Sequence, residues 1–292
     1  MNSNDKIQEA FDRLSPSRSV EEIDRAVAEI IERRYHEVYS APTLRFLYST
    51  IDLTTLAGTD TQESVEKLVE IANHTAQHPE EGMPNVAAIC VYPLQVPVVK
   101  KVLKADGVRI AAVSGGFPAS QTFLDIKLAE TALTVSAGAN EIDIVLNLNH
   151  FLSGNYKDVV EEIEEQKASC RDAHLKVILE TGALKEPELV RRASILSLYS
   201  GADFIKTSTG KEYPGADLRA AYTMCCVLRD YFLETGIRRG VKFSGGIRSA
   251  EEAVKYYCLV DQILGAEWLT PELFRIGASS LASNLRQAIE SY

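Results

Sequence analysis

The spacing of apolar residues predicts helical structure at the start of the chain. The apolar positions recur with the period of one helix face and are Val20, Ile23, Ala26, Val27, Ile30 and Ile31. Ser19 comes just before them and Glu22 follows three residues later, which is the spacing of a capping box, in which each side chain bonds the other residue's backbone N–H. We therefore expect residues 1–40 to be helical and to pack on the domain that follows.

From residue 45 onward, short apolar strand candidates alternate with segments of helical period. The strand candidates cover residues 46–52, 86–92, 109–113, 141–147, 175–181, 203–208, 240–244 and 275–278. The helical segments between and after them cover residues 62–76, 97–104, 122–136, 156–173, 187–200, 217–233, 249–257 and 280–290. Strands that alternate with helices in this way are parallel strands with helical crossovers.

Eight such β–α units predict an α/β fold, a (β/α)8 TIM barrel with an additional N-terminal helix. A doubly wound open sheet is the alternative, but no Gly-x-Gly-x-x-Gly follows the first strand. The 292 residues are 46% hydrophobic, which suffices for one large barrel or for two smaller domains. No linker rich in Pro, Gly or Ser separates the units, so we expect residues 1–292 to form a single barrel domain with residues 1–40 as a helical extension.

The composition of the chain limits the kinds of binding partner and indicates a cellular compartment. The formal net charge of −10 argues against nucleic acid or an anionic membrane as a partner, although a pocket can still be locally basic. The five cysteines form no C-x-x-C pair, and no apolar run has membrane-spanning length, so a reduced, cytoplasmic protein is expected. His74 and His78 have i, i+4 spacing, but no carboxylate cluster accompanies them and no metal is expected.

Strand alternation places an unusual number of charges inside the barrel. The residues that share the inward-facing parity include Asp52, Asp143, Lys176, Glu180, Lys206 and Lys242, with Glu141 and Cys90 on the same faces of their strands. A barrel interior that serves only to pack the fold does not need these charged side chains. They form either a self-satisfied ionic network or a site whose members tune one another's pKa.

Lys206 interrupts an apolar run and invites two interpretations. It is either an ordinary lysine at a strand end, solvated or paired with a carboxylate, or an amine kept neutral to act as a nucleophile. Lys242 lies on the adjacent strand, about 4.8 Å away between backbones, so its charge would lower the pKa of its neighbour. A neutral amine attacks a carbonyl and forms an iminium, while Asp143 could transfer protons and Lys176 could balance its charge.

Glycine-rich turns follow the last strands and suggest an anion site. Gly245 and Gly246 follow strand seven, and residues 277–280 follow strand eight and open a helix. Backbone N–H groups at such turns hold phosphate, and this is the usual phosphate position in barrels, although each turn alone is also a common tight turn. Residues 209–211 could reach the same group.

Seven motifs, in order and each on its expected strand, resemble the deoxyribose-phosphate aldolase family, which are class I (Schiff-base) aldolases on (β/α)8 barrels. The motifs are residues 51–56 (IDLTTL), 90–93 (CVYP), 141–143 (EID), 176–182 (KVILETG), 204–211 (FIKTSTGK), 245–248 (GGIR) and 277–280 (GASS). The resemblance runs from about residue 45 to the end. It implies a cytoplasmic lyase of sugar-phosphate catabolism that reversibly cleaves 2-deoxy-D-ribose 5-phosphate to D-glyceraldehyde 3-phosphate and acetaldehyde without a cofactor.

The resemblance also assigns roles to residues. It implies that Lys206 forms the Schiff base, that Lys242 perturbs its pKa and that Asp143 relays protons. The substrate-pocket positions are Asp52, Cys90, Lys176 and Thr207, and the expected phosphate residues are Thr209, Gly210, Lys211, Gly245, Gly246, Gly277, Ser279 and Ser280. Phe243-Ser244 stands where the family often has Pro-Ala. Tyr292 ends the chain, as a proton-transferring tyrosine does in some members, but only a short helix-like segment separates it from Ser280.

Other interpretations stay open on sequence alone. A transaldolase, another sugar-phosphate aldolase or a pyridoxal-phosphate barrel would also use a strand lysine beside a phosphate site. A non-catalytic sugar-phosphate-binding barrel is the alternative from another functional class. A homodimer or a higher homo-oligomer is compatible with the sequence.

Overall fold

Eight parallel strands close into a barrel in the computed structural model, which describes residues 3–292, with side chains from Ile7 onward. Neighbouring strands along the chain are neighbours in the barrel, and the eighth pairs with the first. The strands are β1 (Ile51–Thr54), β2 (Ala88–Val91), β3 (Arg109–Val113), β4 (Glu141–Val145), β5 (His174–Ile178), β6 (Phe204–Lys206), β7 (Gly240–Ser244) and β8 (Phe274–Ala278). The predicted (β/α)8 TIM barrel is confirmed, and the open-sheet alternative is wrong.

Helices surround the barrel and connect its strands. The described residues form α1 (Ser3–Arg13), α2 (Val20–Val38), α3 (Ala41–Ser49), α4 (Gln62–Gln77), α5 (Val96–Val102), α6 (Leu124–Ala137), α7 (Leu148–Leu152), α8 (Tyr156–Cys170), α9 (Thr181–Leu184), α10 (Pro187–Tyr199), α11 (Leu218–Thr235), α12 (Ala250–Leu264) and α13 (Leu281–Glu290). Within these residues, no helix combines the length and apolar character that a membrane crossing requires.

The first predicted strand is partly wrong. Residues 46–49 belong to α3, and β1 begins only at Ile51. Leu44, Leu47 and Tyr48 lie at helical spacing and are fully buried, so this apolar run satisfies the period of a helix as well as that of a strand. The short helices α7 and α9 were not predicted either, because a helix of about one turn carries almost no periodic signal.

The N-terminal segment is two helices rather than one. Residues 14–19 interrupt it, and Pro16 lies in this break. The predicted capping box is confirmed: Glu22 N–H donates to Ser19 Oγ, and Ser19 N–H donates to the Glu22 carboxylate. Helix α2 packs on α11 and α12, and Arg34 pairs with Asp261 at 2.7 Å. We propose that residues 1–40 extend a single barrel domain in this way.

Apolar packing lies mainly between the barrel and the helices. Ile142 and Ile144 on β4 face outward into this layer, as the alternation predicted. Inside the barrel, Ala88, Cys90 and Ala111 form a small separate cluster of buried apolar side chains. These small side chains leave volume for the long charged side chains of the opposite strands.

Candidate active site

The register of two neighbouring strands brings Lys206 and Lys242 side by side. Lys206 ends β6, Lys242 is the middle residue of β7, and the two are paired across the strands. Both side chains point into the barrel and are almost completely buried. A Cβ added at Gly277 on β8 would lie 2.9 Å from Lys242 Cε, so the absence of a side chain there makes room for this lysine.

Asp143 joins three lysines. Its Oδ2 accepts hydrogen bonds from Lys206 Nζ and Lys242 Nζ, both at 2.8 Å. Its Oδ1 accepts from Lys176 Nζ at 2.9 Å, because Asp143 and Lys176 are register partners on β4 and β5. The structure therefore brings together all three residues that the sequence analysis assigned to the chemistry.

A second layer of charges lies beneath these residues. Arg275 on β8 donates to Asp52 Oδ1 at 2.6 Å and to Glu141 Oε1 at 2.9 Å. Asp52 Oδ2 lies 2.5 Å from Lys242 Nζ, and Glu141 Oε2 lies 2.6 Å from Lys176 Nζ. The whole set is a continuous ionic network, as one interpretation of the inward charges predicted.

The Phe204 ring fills the interior beside this lower layer. Arg275 and Lys176 lie over the ring at 5.7 and 6.0 Å from its centroid, within the range of cation–π attraction. A Cβ added at Gly240 would lie 2.2 Å from the Phe204 ring, so the glycine opens space for it.

The lysines differ in how well their charges are compensated. Burial lowers the pKa of Lys206, and the charge of Lys242 lowers it further; the single carboxylate of Asp143 opposes this incompletely, so the net pKa lies below the usual lysine value. Burial also acts on Lys242, but Asp143 and Asp52 together outweigh it and hold its pKa well above the usual value. The pKa of Lys176 is likewise raised, because Asp143 and Glu141 outweigh burial. Lys206 is therefore the lysine that loses its proton most readily.

Asp143 and Asp52 stay ionised in spite of burial. Burial raises the pKa of Asp143, but the three lysines around it hold that pKa well below the usual range. For Asp52, burial is likewise outweighed by Lys242, Arg275 and Lys176, and its pKa is lowered. Burial raises the pKa of Cys90, so this thiol remains protonated at neutral pH.

A cavity of about 370 Å³ opens above Lys206 at the carboxyl ends of the strands. Its lining includes Lys206 and every residue predicted to hold phosphate: Thr209, Gly210, Lys211, Gly245, Gly246, Gly277, Ser279 and Ser280. Gly210, Gly245 and Gly246 have φ of +73°, +88° and +88°, a conformation that favours glycine. Ser279 and Ser280 precede α13, so the N-terminal end of that helix faces the cavity.

Glu180 supports the β6 turn from behind. It is buried, and its carboxylate accepts from Thr209 N–H at 3.2 Å and Thr209 Oγ1 at 2.5 Å. Glu180 itself has a left-handed φ of 55°, which is uncommon for a residue with a side chain. It thus holds the turn that follows β6 instead of joining the ionic network, where the sequence analysis had grouped it.

The four residues expected in the substrate pocket do not line the cavity. Asp52, Cys90 and Lys176 lie below it inside the barrel, where Asp52 and Lys176 belong to the ionic network. Thr207 points away from the barrel interior: its hydroxyl donates to Ser244 O at 3.1 Å and accepts from Ser244 N–H. Thr207 thus joins β6 to β7 and does not line the cavity, so its expected role in the substrate pocket stays a prediction.

Tyr292 lies away from the cavity. Its hydroxyl donates to the Tyr39 carbonyl at 3.2 Å at the end of α2, and its side chain is exposed. Sequence analysis missed Arg275, although it shares the inward parity of Gly277 two residues later on β8. It also left Arg248 and Thr54, which line the cavity, without a role.

Comparisons with known proteins show the family of the chain. Residues 46–281 match the family described as DeoC/LacD family aldolase. Deoxyribose-phosphate aldolases of Mus musculus and Homo sapiens are 44% and 43% identical to the chain over 82% of its length and 78% of theirs. The solved structure of deoxyribose phosphate aldolase from Aeropyrum pernix, described as tetrameric, superposes with a TM-score of 0.65 at 26% identity, covering 94% of this chain and 99% of that one.

Proposed function

The chain belongs to the DeoC/LacD aldolase family and is thus a carbon–carbon lyase, and we propose that it cleaves 2-deoxy-D-ribose 5-phosphate reversibly through a Schiff base on Lys206. The products are D-glyceraldehyde 3-phosphate and acetaldehyde. The observation that carries the proposal is the placement of Lys206 in the floor of the cavity, with its pKa lowered and its amine bonded to the oxygen of Asp143 that Lys242 also contacts.

The reaction begins with the neutral amine of Lys206. Its lone pair attacks the C1 aldehyde carbon of the open-chain sugar; the nitrogen then loses a proton and the carbonyl oxygen takes one up, which gives a carbinolamine. The ammonium of Lys242 can supply this proton, since Lys206 and Lys242 both donate to Asp143 Oδ2. Loss of water from the carbinolamine leaves an iminium that joins C1 to Lys206.

The carbon–carbon bond then breaks next to the iminium. A base removes the proton of the C3 hydroxyl, the C2–C3 bonding electrons move toward the iminium nitrogen, and D-glyceraldehyde 3-phosphate leaves. The remaining enamine takes a proton on its terminal carbon, and water releases acetaldehyde and restores the Lys206 amine. Asp143, held as a carboxylate, supports these proton transfers directly or through water.

The phosphate of the substrate occupies the glycine-rich end of the cavity. Turns at Gly210, Gly245 and Gly246 offer backbone N–H groups, and the N-terminal end of α13 adds its dipole. Lys211 and Arg248 supply positive charge beside them in a chain whose net charge is −10. This local concentration of donors supports a phosphorylated sugar as substrate.

We also propose a cytoplasmic, homo-oligomeric enzyme. The described residues carry five cysteines, all free, which suits a reducing compartment. The tetrameric Aeropyrum pernix relative supports self-association.

Borohydride trapping with acetaldehyde tests the proposed chemistry. Acetaldehyde forms the iminium with the nucleophilic lysine, and reduction should leave one ethyl group on Lys206, located by peptide mass spectrometry. Lys206→Ala should abolish cleavage of deoxyribose phosphate and the adduct while retaining the fold by circular dichroism. Lys157→Met, on the exposed face of α8, is the matched control and should be trapped like the native chain. An adduct on Lys176, or none in the native chain, would refute the assignment.

A further inference from the structure

The buried network contains one more cation than it contains carboxylates. The cations are Lys176, Lys206, Lys242 and Arg275, and the carboxylates are Asp52, Glu141 and Asp143. An unbalanced charge in a low-dielectric interior is costly, and release of one proton restores the balance. Arginine does not give up its proton in proteins, so the proton must come from a lysine.

The contacts of Arg275 decide which lysine this is. Its guanidinium donates to both oxygens of Glu141, at 2.9 and 3.2 Å, and to one oxygen of Asp52 at 2.6 Å. Its Nε donates to the Pro271 carbonyl, which fixes the orientation of the guanidinium. These contacts hold both carboxylates in place, with one oxygen of Asp52 directed at Lys242 and one of Glu141 at Lys176.

Lys206 is outside the reach of these two carboxylates. Its one ion-pair partner within the described residues is Asp143, which it shares with two other lysines. We propose that Arg275 is a positioning residue for the reaction: by holding Asp52 against Lys242 and Glu141 against Lys176, it makes Lys206 the amine that gives up its proton. This inference rests on the proposed Schiff-base function of Lys206.

Replacing Arg275 with a neutral residue removes the excess positive charge. The three remaining lysines then face three carboxylates, Lys206 keeps its proton to a higher pH, and its pKa rises. We expect Arg275→Met and Arg275→Gln to slow the trapping of acetaldehyde at neutral pH about tenfold for each unit by which the pKa rises, with recovery at alkaline pH. Arg275→Lys retains the charge and should keep the pH dependence of the native chain.

The measurement is the rate of ethyl-group addition to Lys206 as a function of pH, with acetaldehyde and cyanoborohydride. Arg109→Gln is the matched control, because Arg109 also approaches Glu141, at 3.4 Å, but from an exposed position where solvent compensates its charge. Circular dichroism identifies any variant that does not fold. If Arg275→Met does not fold, the pH dependence of Arg275→Gln is used in its place. A purely structural role would lower the rate equally at every pH.

The possible results distinguish a failure of the proposed role of Arg275 from a failure of the proposed Schiff-base function. If the native chain forms no adduct on Lys206, the proposed function fails. If the native chain forms it and the folded neutral variants show an unshifted pH dependence, the role of Arg275 fails while the Schiff base stands.

A separate cluster lies on the outside of the barrel. His74 and His78 lie at the end of α4 with ring centroids 4.2 Å apart, and Glu81 lies in the turn that follows. One ligand atom from each of the three falls within 4.8 Å of the others. His78 Nδ1 donates to the Glu80 carboxylate at 2.9 Å, which leaves Nε2 as the free nitrogen.

We further propose that His74, His78 and Glu81 bind a divalent transition metal such as Zn²⁺. Two imidazoles and a carboxylate are a donor set that Zn²⁺ favours, and a second carboxylate on the far ring nitrogen is the usual support of a metal-bound histidine. Arg286 on α13 now pairs with Glu81 at 2.8 Å and would compete with the metal for it. The sequence analysis expected no metal because it found no carboxylate cluster beside His74 and His78, whereas the structure brings Glu81 next to them.

Titration of the full chain with Zn²⁺ by calorimetry tests this site. We expect one ion per chain, with binding weakened at least about tenfold in His74→Gln and in His78→Gln. His36→Gln, which removes an exposed histidine of α2, should bind like the native chain. Arg286→Gln should bind more tightly, because Glu81 loses its competitor. Unchanged binding in both cluster variants, or none in the native chain, refutes the site.

Discussion

Lys206 and Lys242 are register partners on β6 and β7, and the nitrogens of both lie 2.8 Å from the same atom, Oδ2 of Asp143. One carboxylate oxygen thus serves two amines that repel each other. Lys242 has a second carboxylate, Asp52, at 2.5 Å, whereas Asp143 is the one ion-pair partner that Lys206 has among the described residues. In the proposed mechanism, this asymmetry explains why Lys206 acts as the nucleophile and Lys242 as the neighbouring cation.

Lys242→Leu should give a slow enzyme with a raised pH optimum. Removing this cation takes away a repulsion that lowers the pKa of Lys206, so that pKa rises and less amine is neutral at pH 7. The acidic limb of the kcat/KM profile should therefore move to higher pH, and activity should fall about tenfold per pKa unit at neutral pH. A loss of equal size at every pH would contradict the assigned role.

Asp143→Asn should distinguish the effect of Asp143 on the protonation state of Lys206 from its role in proton transfer. The amide cannot balance the charge of Lys206, so the pKa of Lys206 falls further and its amine is neutral over a wider pH range. Turnover should nevertheless drop by about 10²–10⁴, because the group that passes protons is gone. The test is kcat measured with the pH profile. A variant with nearly native kcat would remove Asp143 from the mechanism.

The strand positions and their inward faces could be predicted because parallel barrel strands are regular. Alternation along β4 and β5 placed Asp143 and Lys176 inside, and the order of the strands made Lys206 and Lys242 neighbours. The same alternation argued against Thr207, whose parity is opposite to that of Lys206. Its assignment came from the resemblance, and the structure places its hydroxyl on Ser244.

Which lysine has the lower pKa could not be predicted from the sequence. The answer depends on how many carboxylates lie within a few ångströms of each nitrogen, and this follows from side-chain reach across the barrel. Arg275 is an example. Its inward direction could have been predicted from Gly277, two residues later on the same strand. Its hydrogen bonds to Asp52 and Glu141 could not, because they join residues on three different strands. Similarly, residues 46–49 fit helix and strand periods equally well, and only packing decided between them.

Gly277→Ala should disturb Lys242 without touching the chemistry directly. The new Cβ would lie 2.9 Å from both Lys242 Cε and Ser244 Cβ, while Asp52 and Asp143 hold the end of the lysine in place. We expect a loss of about 1–3 kcal/mol in stability from overpacking. The acidic limb of kcat/KM should move in the same direction as in Lys242→Leu, but less far.

Gly58→Ala is the matched control for this substitution. Gly58 has no atom within 4 Å of the added Cβ and no left-handed φ, so neither stability nor the pH profile should change. If Gly277→Ala behaves like the Gly58 variant, the space at Gly277 does not position Lys242.

Lys211→Met should weaken recognition of phosphate and leave the chemical step intact. Lys211 lines the cavity, where its Nζ donates to the Leu56 carbonyl and lies 6.0 Å from the Tyr92 ring centroid. Its charge can reach a phosphate group but makes no ion pair with the buried network. KM for 2-deoxy-D-ribose 5-phosphate should therefore rise about tenfold, as expected for one lost charge-assisted bond. Cleavage of unphosphorylated deoxyribose should be unchanged, and Lys157→Met should match the native chain with both substrates. An equal loss with both sugars would mean that Lys211 acts on the Schiff base and does not select the phosphate.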